Sequence, residues 1–172
     1  MSSLRLINET TATNSSSLTI NNIFSENFKF YKVEVMLSDG TQNDNLDATL
    51  VDAFGGLISD SVYWAGYDMN SNASFTDVKF NGTTNRFRNL TQATATAGNS
   101  GNCVLYFFDP YETSNTFMIG QGAQSHDSTN TFRSRRYFAN SLGSAIATGL
   151  HFTLNNSGAP DWDFKCYGIS VV

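Results

Sequence analysis

The stretch Thr148-Gly149-Leu150-His151-Phe152-Thr153-Leu154, followed after a short loop by Phe164-Lys165-Cys166-Tyr167-Gly168-Ile169-Ser170-Val171, decides the fold. Leu150, Phe152 and Leu154 fall on one side of an extended chain while His151 and Thr153 fall on the other. That is the period of two a half-buried strand requires. The same alternation recurs upstream, where Tyr31, Val33, Val35 and Leu37 point inward with Lys32 and Glu34 between them. Asn102 to Phe108 is apolar on both faces instead, which predicts a central strand covered by the other sheet on one side, with a neighbouring subunit as a candidate cover on the other.

Outward from these segments, strand-like runs fall near residues 3–10, 17–24, 28–38, 46–54, 57–66, 74–80, 86–91, 102–109, 115–122, 131–138, 148–155 and 163–171. No amphipathic helix interrupts them. The expected fold is therefore all-β: a single β-sandwich domain over residues 1–172, of jelly-roll type, with no substantial helix. Phe54-Gly55-Gly56-Leu57 is the sharpest turn signal and predicts a hairpin joining 46–54 to 57–66. Thr91 to Gly101, nearly devoid of bulky residues, reads as an exposed loop.

Composition narrows the function classes. A chain of 172 residues can bury about 70% of its unfolded surface, enough for a real core. Aromatic residues make up 13% and charged residues only 15%, against roughly 25% charged in average soluble domains. Solubility then rests on Asn, Ser, Thr and Gly, which suits a surface that packs against other subunits with little desolvation of charge. A net charge of -5 argues against nucleic-acid binding, since backbone recognition needs Lys and Arg to neutralise phosphates. No apolar run approaches the roughly 20 residues of a membrane helix, and Met1-Ser2-Ser3-Leu4-Arg5 opens no signal peptide, so no membrane insertion and a cytoplasmic origin are expected. Cys103 and Cys166 then read as buried free thiols.

The order of the segments carries a resemblance. Ser3 to Thr10, Ile23-Phe24-Ser25 leading into Phe28 to Val33, Gly56-Leu57-Ile58-Ser59, Ser61 to Ala65, Asn102 to Pro110 and the closing Tyr167-Gly168-Ile169 together resemble the small single-domain virion structural proteins of tailed bacteriophages, decoration or fibre type, particularly those of marine phages and cyanophages. The resemblance runs nearly end to end and implies a place on a particle: virion localisation after assembly in the host cytoplasm, with other phage virion proteins, capsid or fibre, as partners. No enzyme motif comes with it.

Candidate sites are few. His126 in the polar stretch 121–130 and His151 on an outer strand face have no nucleophile beside them, and HExxH, GxSxG, P-loop and GxGxxG patterns are all missing. Asp161 and Asp163 flank Trp162, the residue types of a glycosidase acid and base beside a sugar platform. The plainer reading makes them a turn and a strand start around a core Trp. No catalytic residue is assigned. The loop from Asp39 to Asp47 offers several oxygen ligands but matches no EF-hand, so neither a metal nor any other cofactor is assigned. Arg86 and Arg88 share one face of an expected strand, as do Arg133 and Arg135, with Arg136 opposite. Were those strands neighbours, four guanidinium groups would form a docking patch for acidic groups; otherwise they are two solvated faces. Tyr63, Trp64, Tyr67, Tyr111 and Trp162 are the candidate aromatics for a protein interface or for a glycan platform. Tyr63 and Trp64 are adjacent in a strand, so one must face away from the core.

The expected function is that of a non-enzymatic structural protein of a tailed-phage virion, most readily a homotrimeric capsid decoration or cement protein on the particle exterior. The alternative is a carbohydrate- or receptor-binding module of a tail or head fibre, recognising a host surface glycan.

Overall fold

The structure, a computed structural model, describes residues 3–71, 75–95, 100–126, 131–143, 145–156 and 158–170. Its twelve strands are β1 (Ser3–Ala12), β2 (Ser17–Ile20), β3 (Phe30–Ser38), β4 (Asp44–Val51), β5 (Val62–Ser71), β6 (Phe75–Thr84), β7 (Gln92–Ala93), β8 (Ser100–Phe108), β9 (Thr116–His126), β10 (Thr131–Ser141), β11 (Gly149–Leu154) and β12 (Asp161–Ser170), with no helix among the described residues. They form an eight-stranded sheet in the order β1-β12-β3-β8-β9-β10-β5-β6 and a four-stranded sheet in the order β2-β11-β4-β7. Every ladder is antiparallel. The protein is an all-β sandwich.

Alternation in sequence becomes burial between the layers. Tyr31, Val33, Val35 and Leu37 of β3 lie in the core beside Phe164 and Cys166 of β12 and Cys103, Leu105 and Phe107 of β8. Leu46, Ala48 and Leu50 of β4 and Leu150, Phe152 and Leu154 of β11 come from the smaller sheet. Phe152 joins the layers, its ring 5.8 Å from Phe164 and 6.3 Å from Trp162 between centroids. Tyr31 carries a hydroxyl into this interior, and Ser25 satisfies it: the Ser25 amide donates to the Tyr31 oxygen at 2.7 Å and the hydroxyl donates to the Ser25 carbonyl at 2.7 Å. Such reciprocal pairing removes the desolvation penalty of an unpaired buried hydroxyl. Both cysteines are free and buried, and burial pushes each thiol up to about 12.

Three expectations about the chain path are corrected. The turn at Gly55 exists, with Gly55 at φ +82° and the Asp52 carboxylate accepting from the Phe54 and Gly56 amides at 2.8 Å. Only Leu57 and Ile58 return along β4, however, and β5 begins at Val62 in the other sheet, so the expected hairpin is cut short by a change of layer. Residues 86–91 form no named strand; they follow β4 through backbone bonds such as Phe87 N to Ala48 O at 2.8 Å and Leu90 N to Leu46 O at 2.8 Å. The start of the expected exposed loop is interior, with Thr91, Ala93 and Thr94 buried and β7 paired to β4. Lack of bulk lets this backbone lie against Gly101, where a Cβ would strike the Gln92 carbonyl. Residues 96–99 of that loop lie outside the described residues.

His151 lies on the outer side of β11, its Nδ1 2.7 Å from the Thr19 hydroxyl. Burial, with the Arg86 charge adding to it, lowers its pKa below the ordinary value. The unfolded chain therefore binds the proton more readily, and His151 removes stability as pH falls through the unfolded value near ~6.5. The expected result is a denaturation midpoint that drops between pH 7.5 and 5.5 less steeply in a His151→Gln variant than in the parent, read by urea titration at each pH.

Candidate binding face

One face of the eight-stranded sheet looks into the core; the opposite face is open. The ladder registers align its side chains in rows that cross every strand. The first row runs Leu4, Ile169, Phe30, Phe108, Phe117, Asn140, Tyr63, Thr83, and the second Leu6, Tyr167, Lys32, Tyr106, Ile119, Phe138, Ala65, Asn81. Most of these side chains are apolar or aromatic. The third row is charged and polar in part, with Glu9, Lys165, Glu34, Gln121 and Arg136.

Leu4, Leu6, Phe117, Ile119, Phe138 and Tyr63 are exposed on this belt. Isolated exposed apolar residues are ordinary, whereas a contiguous band marks a contact surface. The two halves of the belt differ in relief. Over β1, β12, β3 and β8 the side chains pack on each other: Phe30 and Phe108 meet edge to face at 5.2 Å, and the Lys32 ammonium sits 5.7 Å from the Tyr167 ring centre. Over β9, β10, β5 and β6 the face opens into a cleft of about 540 Å³ walled by Tyr63, Phe117, Ile119 and Phe138, with Ala65, Asn81, Thr83 and Asn140 between them. Among the described residues no charged side chain lines it.

The arginines predicted as a docking patch are gathered on buried carboxylates, with Arg135 inside the molecule and Arg86, Arg88 and Arg133 partly exposed at its edge. Arg135 is only 4% exposed, with its Nε 3.0 Å from Asp68 Oδ1 and its Nη1 donating to the Asn89 carbonyl at 3.0 Å and to Asn45 Oδ1 at 3.2 Å. Arg133 Nε lies 3.8 Å from Asp68 Oδ2. Arg86 and Arg88 sit beyond the end of β6 and flank Asp47, at 3.8 Å and 3.3 Å from its Oδ2. Asp47 is fully buried and also accepts from the Asn89 amide at 3.0 Å. Burial raises the Asp47 pKa although that bond and the two guanidinium groups oppose it, and burial lowers that of Arg135 against the pull of Asp68. Because these cations are matched to buried carboxylates at the seam between the sheets, Arg135 cannot serve a docking surface. The signal was present in the sequence: Arg133 and Arg135 share the strand parity of Tyr137 and Ala139, which are core residues.

The predicted aromatics separate. Tyr63 is exposed at the cleft, whereas Trp64 turns to the other face of β5, its indole partly buried against the core and lying over Gly82. Tyr67 is half-buried one row away, opposite Arg136. Tyr111 packs on the core and Trp162 lies within it, donating from Nε1 to the Ser15 carbonyl at 2.8 Å, so neither belongs to an aromatic surface. Phe117 and Phe138, which wall the cleft, were not singled out in the sequence; only the register places them beside Tyr63. Asp161 accepts from the Asn14 amide at 2.9 Å, and Asp163 lies with Glu34 and Lys165 at a smaller hollow of about 220 Å³. Trp162 faces away from both carboxylates and offers them no platform. In the acidic loop Asp44 is committed to the Asn156 and Gly158 amides at 2.6 and 3.1 Å. β9 continues to His126 where a polar loop was expected.

No family model matches the chain, and no curated protein matches it. Among solved structures it is similar to an exo-inulinase from Aspergillus awamori at 12% identity and a TM-score of 0.41, covering 98% of this chain and 29% of that one. The chain thus spans less than a third of that enzyme's length.

Proposed function

We propose that the protein is a non-enzymatic structural subunit of a tailed-phage virion, a decoration protein on the particle exterior that assembles as a homotrimer through the β1-β12-β3-β8 half of its open face. The observation that carries the assembly is the apolar belt itself. Its filled half presents Leu4 and Leu6 beside Phe30, Phe108, Tyr106, Tyr167 and Ile169 with little relief, the form of a protein contact rather than of a ligand pocket. The virion setting rests on the resemblance of the strand segments to phage structural proteins. The strand order fits a jelly roll: β1-β12-β3-β8 and β2-β11-β4-β7 are its two sheets, and the hairpins β5-β6 and β9-β10 extend the first.

Sedimentation velocity at micromolar concentration tests the assembly. The wild type is expected to sediment as an oligomer, and a Leu4→Glu, Leu6→Glu variant as a monomer with an unchanged unfolding midpoint. Charges buried at such a contact cost about 2–3 kcal/mol or more, roughly a hundredfold in association. A monomeric wild type that also ignores phage particles overturns the reading. The second reading, a carbohydrate- or receptor-binding module of a fibre, is favoured by the cleft.

A further inference from the structure

We infer that the cleft over β9, β10, β5 and β6 is a binding site for a neutral glycan, engaging one or two pyranose rings between aromatic walls. Phe117 and Tyr63 stand in one cross-strand row with Asn140 between them. Two strand spacings separate their backbones by about 9.6 Å. A slot of that width between aromatic side chains has the size of one saturated six-membered ring, whose C–H faces stack on the negative faces of aromatic systems. Phe138 borders the slot from the next row, and Ala65, beside it, leaves the floor low.

The polar groups favour a sugar over an apolar side chain as occupant. The Asn81 and Asn140 amides and the Thr83 and Tyr63 hydroxyls converge on the cleft, a few placed polar groups in an apolar pocket being the usual form of a ligand site. Asn140 Oδ1 has no hydrogen-bond partner among the described residues, so a ligand hydroxyl reaching it after a small side-chain adjustment satisfies an acceptor now left empty. All four groups are uncharged, and among the described residues no Lys, Arg, Asp or Glu lines the cleft. Arg136, two residues before Phe138 on the same side of β10, stands outside the lining. A uronic or sialic acid would bury its carboxylate there without a counter-charge, which is costly. A neutral hexose or N-acetylhexosamine matches the lining in both polarity and size.

The site does not rest on assembly through the other half of the face, and the experiment keeps the two apart. Maltotriose, cellotriose, α-mannotriose and the N-acetylglucosamine trimer are titrated into the full chain, with sialyllactose and trigalacturonic acid as charged controls. Binding is read by calorimetry. At least one neutral trisaccharide is expected to bind with low-millimolar or better affinity. A Tyr63→Ala, Phe138→Ala variant, both at exposed positions, weakens it at least tenfold while keeping the wild-type unfolding midpoint. The Leu4→Glu, Leu6→Glu variant binds as the wild type does. Failure of every neutral sugar to bind, preference for the charged controls, or binding indifferent to the Tyr63 and Phe138 changes would each overturn the site. Should the wild type bind no sugar until the Leu4 and Leu6 changes dissociate it, the cleft is an interface between copies and the inference fails.

Discussion

An Arg135→Ala variant is expected to lose about 3–5 kcal/mol of stability, the cost of removing one partner from a buried ion pair. The substitution leaves Asp68 buried with only Arg133 at 3.8 Å, and strips the Asn89 carbonyl and Asn45 Oδ1 of their donor. Urea unfolding monitored by far-ultraviolet circular dichroism measures the loss. An Arg135→Met, Asp68→Leu double variant tests the cause. Apolar replacement of both partners removes the buried pair together and should recover part of the stability, the Asn89 carbonyl and Asn45 Oδ1 still lacking their donor. A loss below about 1 kcal/mol for Arg135→Ala would mean that the guanidinium reaches solvent, and the docking patch expected from the sequence would return.

Phe152→Ala is expected to cost a comparable 3–5 kcal/mol, the range for removing a buried Phe and leaving a cavity. Phe152 is the ring of the smaller sheet that reaches Trp162 and Phe164 of the larger one, so its loss opens a gap between layers that two stiff backbones cannot close. Phe54→Ala is the matched control. It removes the same atoms at a turn where the ring is 98% exposed, and its effect should stay within about 0.5 kcal/mol. If the two variants unfold at the same midpoint, the layer packing described here is wrong.

The contrast between these residues shows how far the sequence could be read. The interior of β3 and β11 was legible because alternation over a few residues determines which side chains are buried, and that needs no knowledge of neighbours. Trp162 was read both as a core residue and as a candidate surface aromatic, and only the first reading agrees with its burial. The burial of Arg135 and the pairing of the other arginines were not legible because they depend on partners remote in sequence: Asp68 reaches Arg133 and Arg135 only through the β5-β10 ladder, and Asp47 meets Arg86 and Arg88 only because residues 86–91 run alongside β4. Residues 91–94 were misjudged for a different reason. Small side chains suggest a segment unable to pack, whereas their smallness is what brings the backbone against Gly101. Alternation required one of Tyr63 and Trp64 to leave the core without saying which. That Phe117 and Phe138 stand beside Tyr63 is a property of register, which one strand read alone does not contain.

The position of β12 between β1 and β3, and of β11 between β2 and β4, has a consequence in time. A ribosome adding ~5–20 residues per second takes roughly ten to thirty seconds to deliver this chain. From the completion of β3 at Ser38 until Asp161 is reached, β1 and β3 have been made, yet the strand that hydrogen-bonds to both has not. Their edges stay open, Leu4 and Leu6 among the residues they present, and unpaired strand edges on nascent chains are where neighbouring polysomes cross-pair. Hence the final strands act as a zipper drawn last, so that truncation before Asp161 leaves a sticky nascent chain and not a smaller folded one.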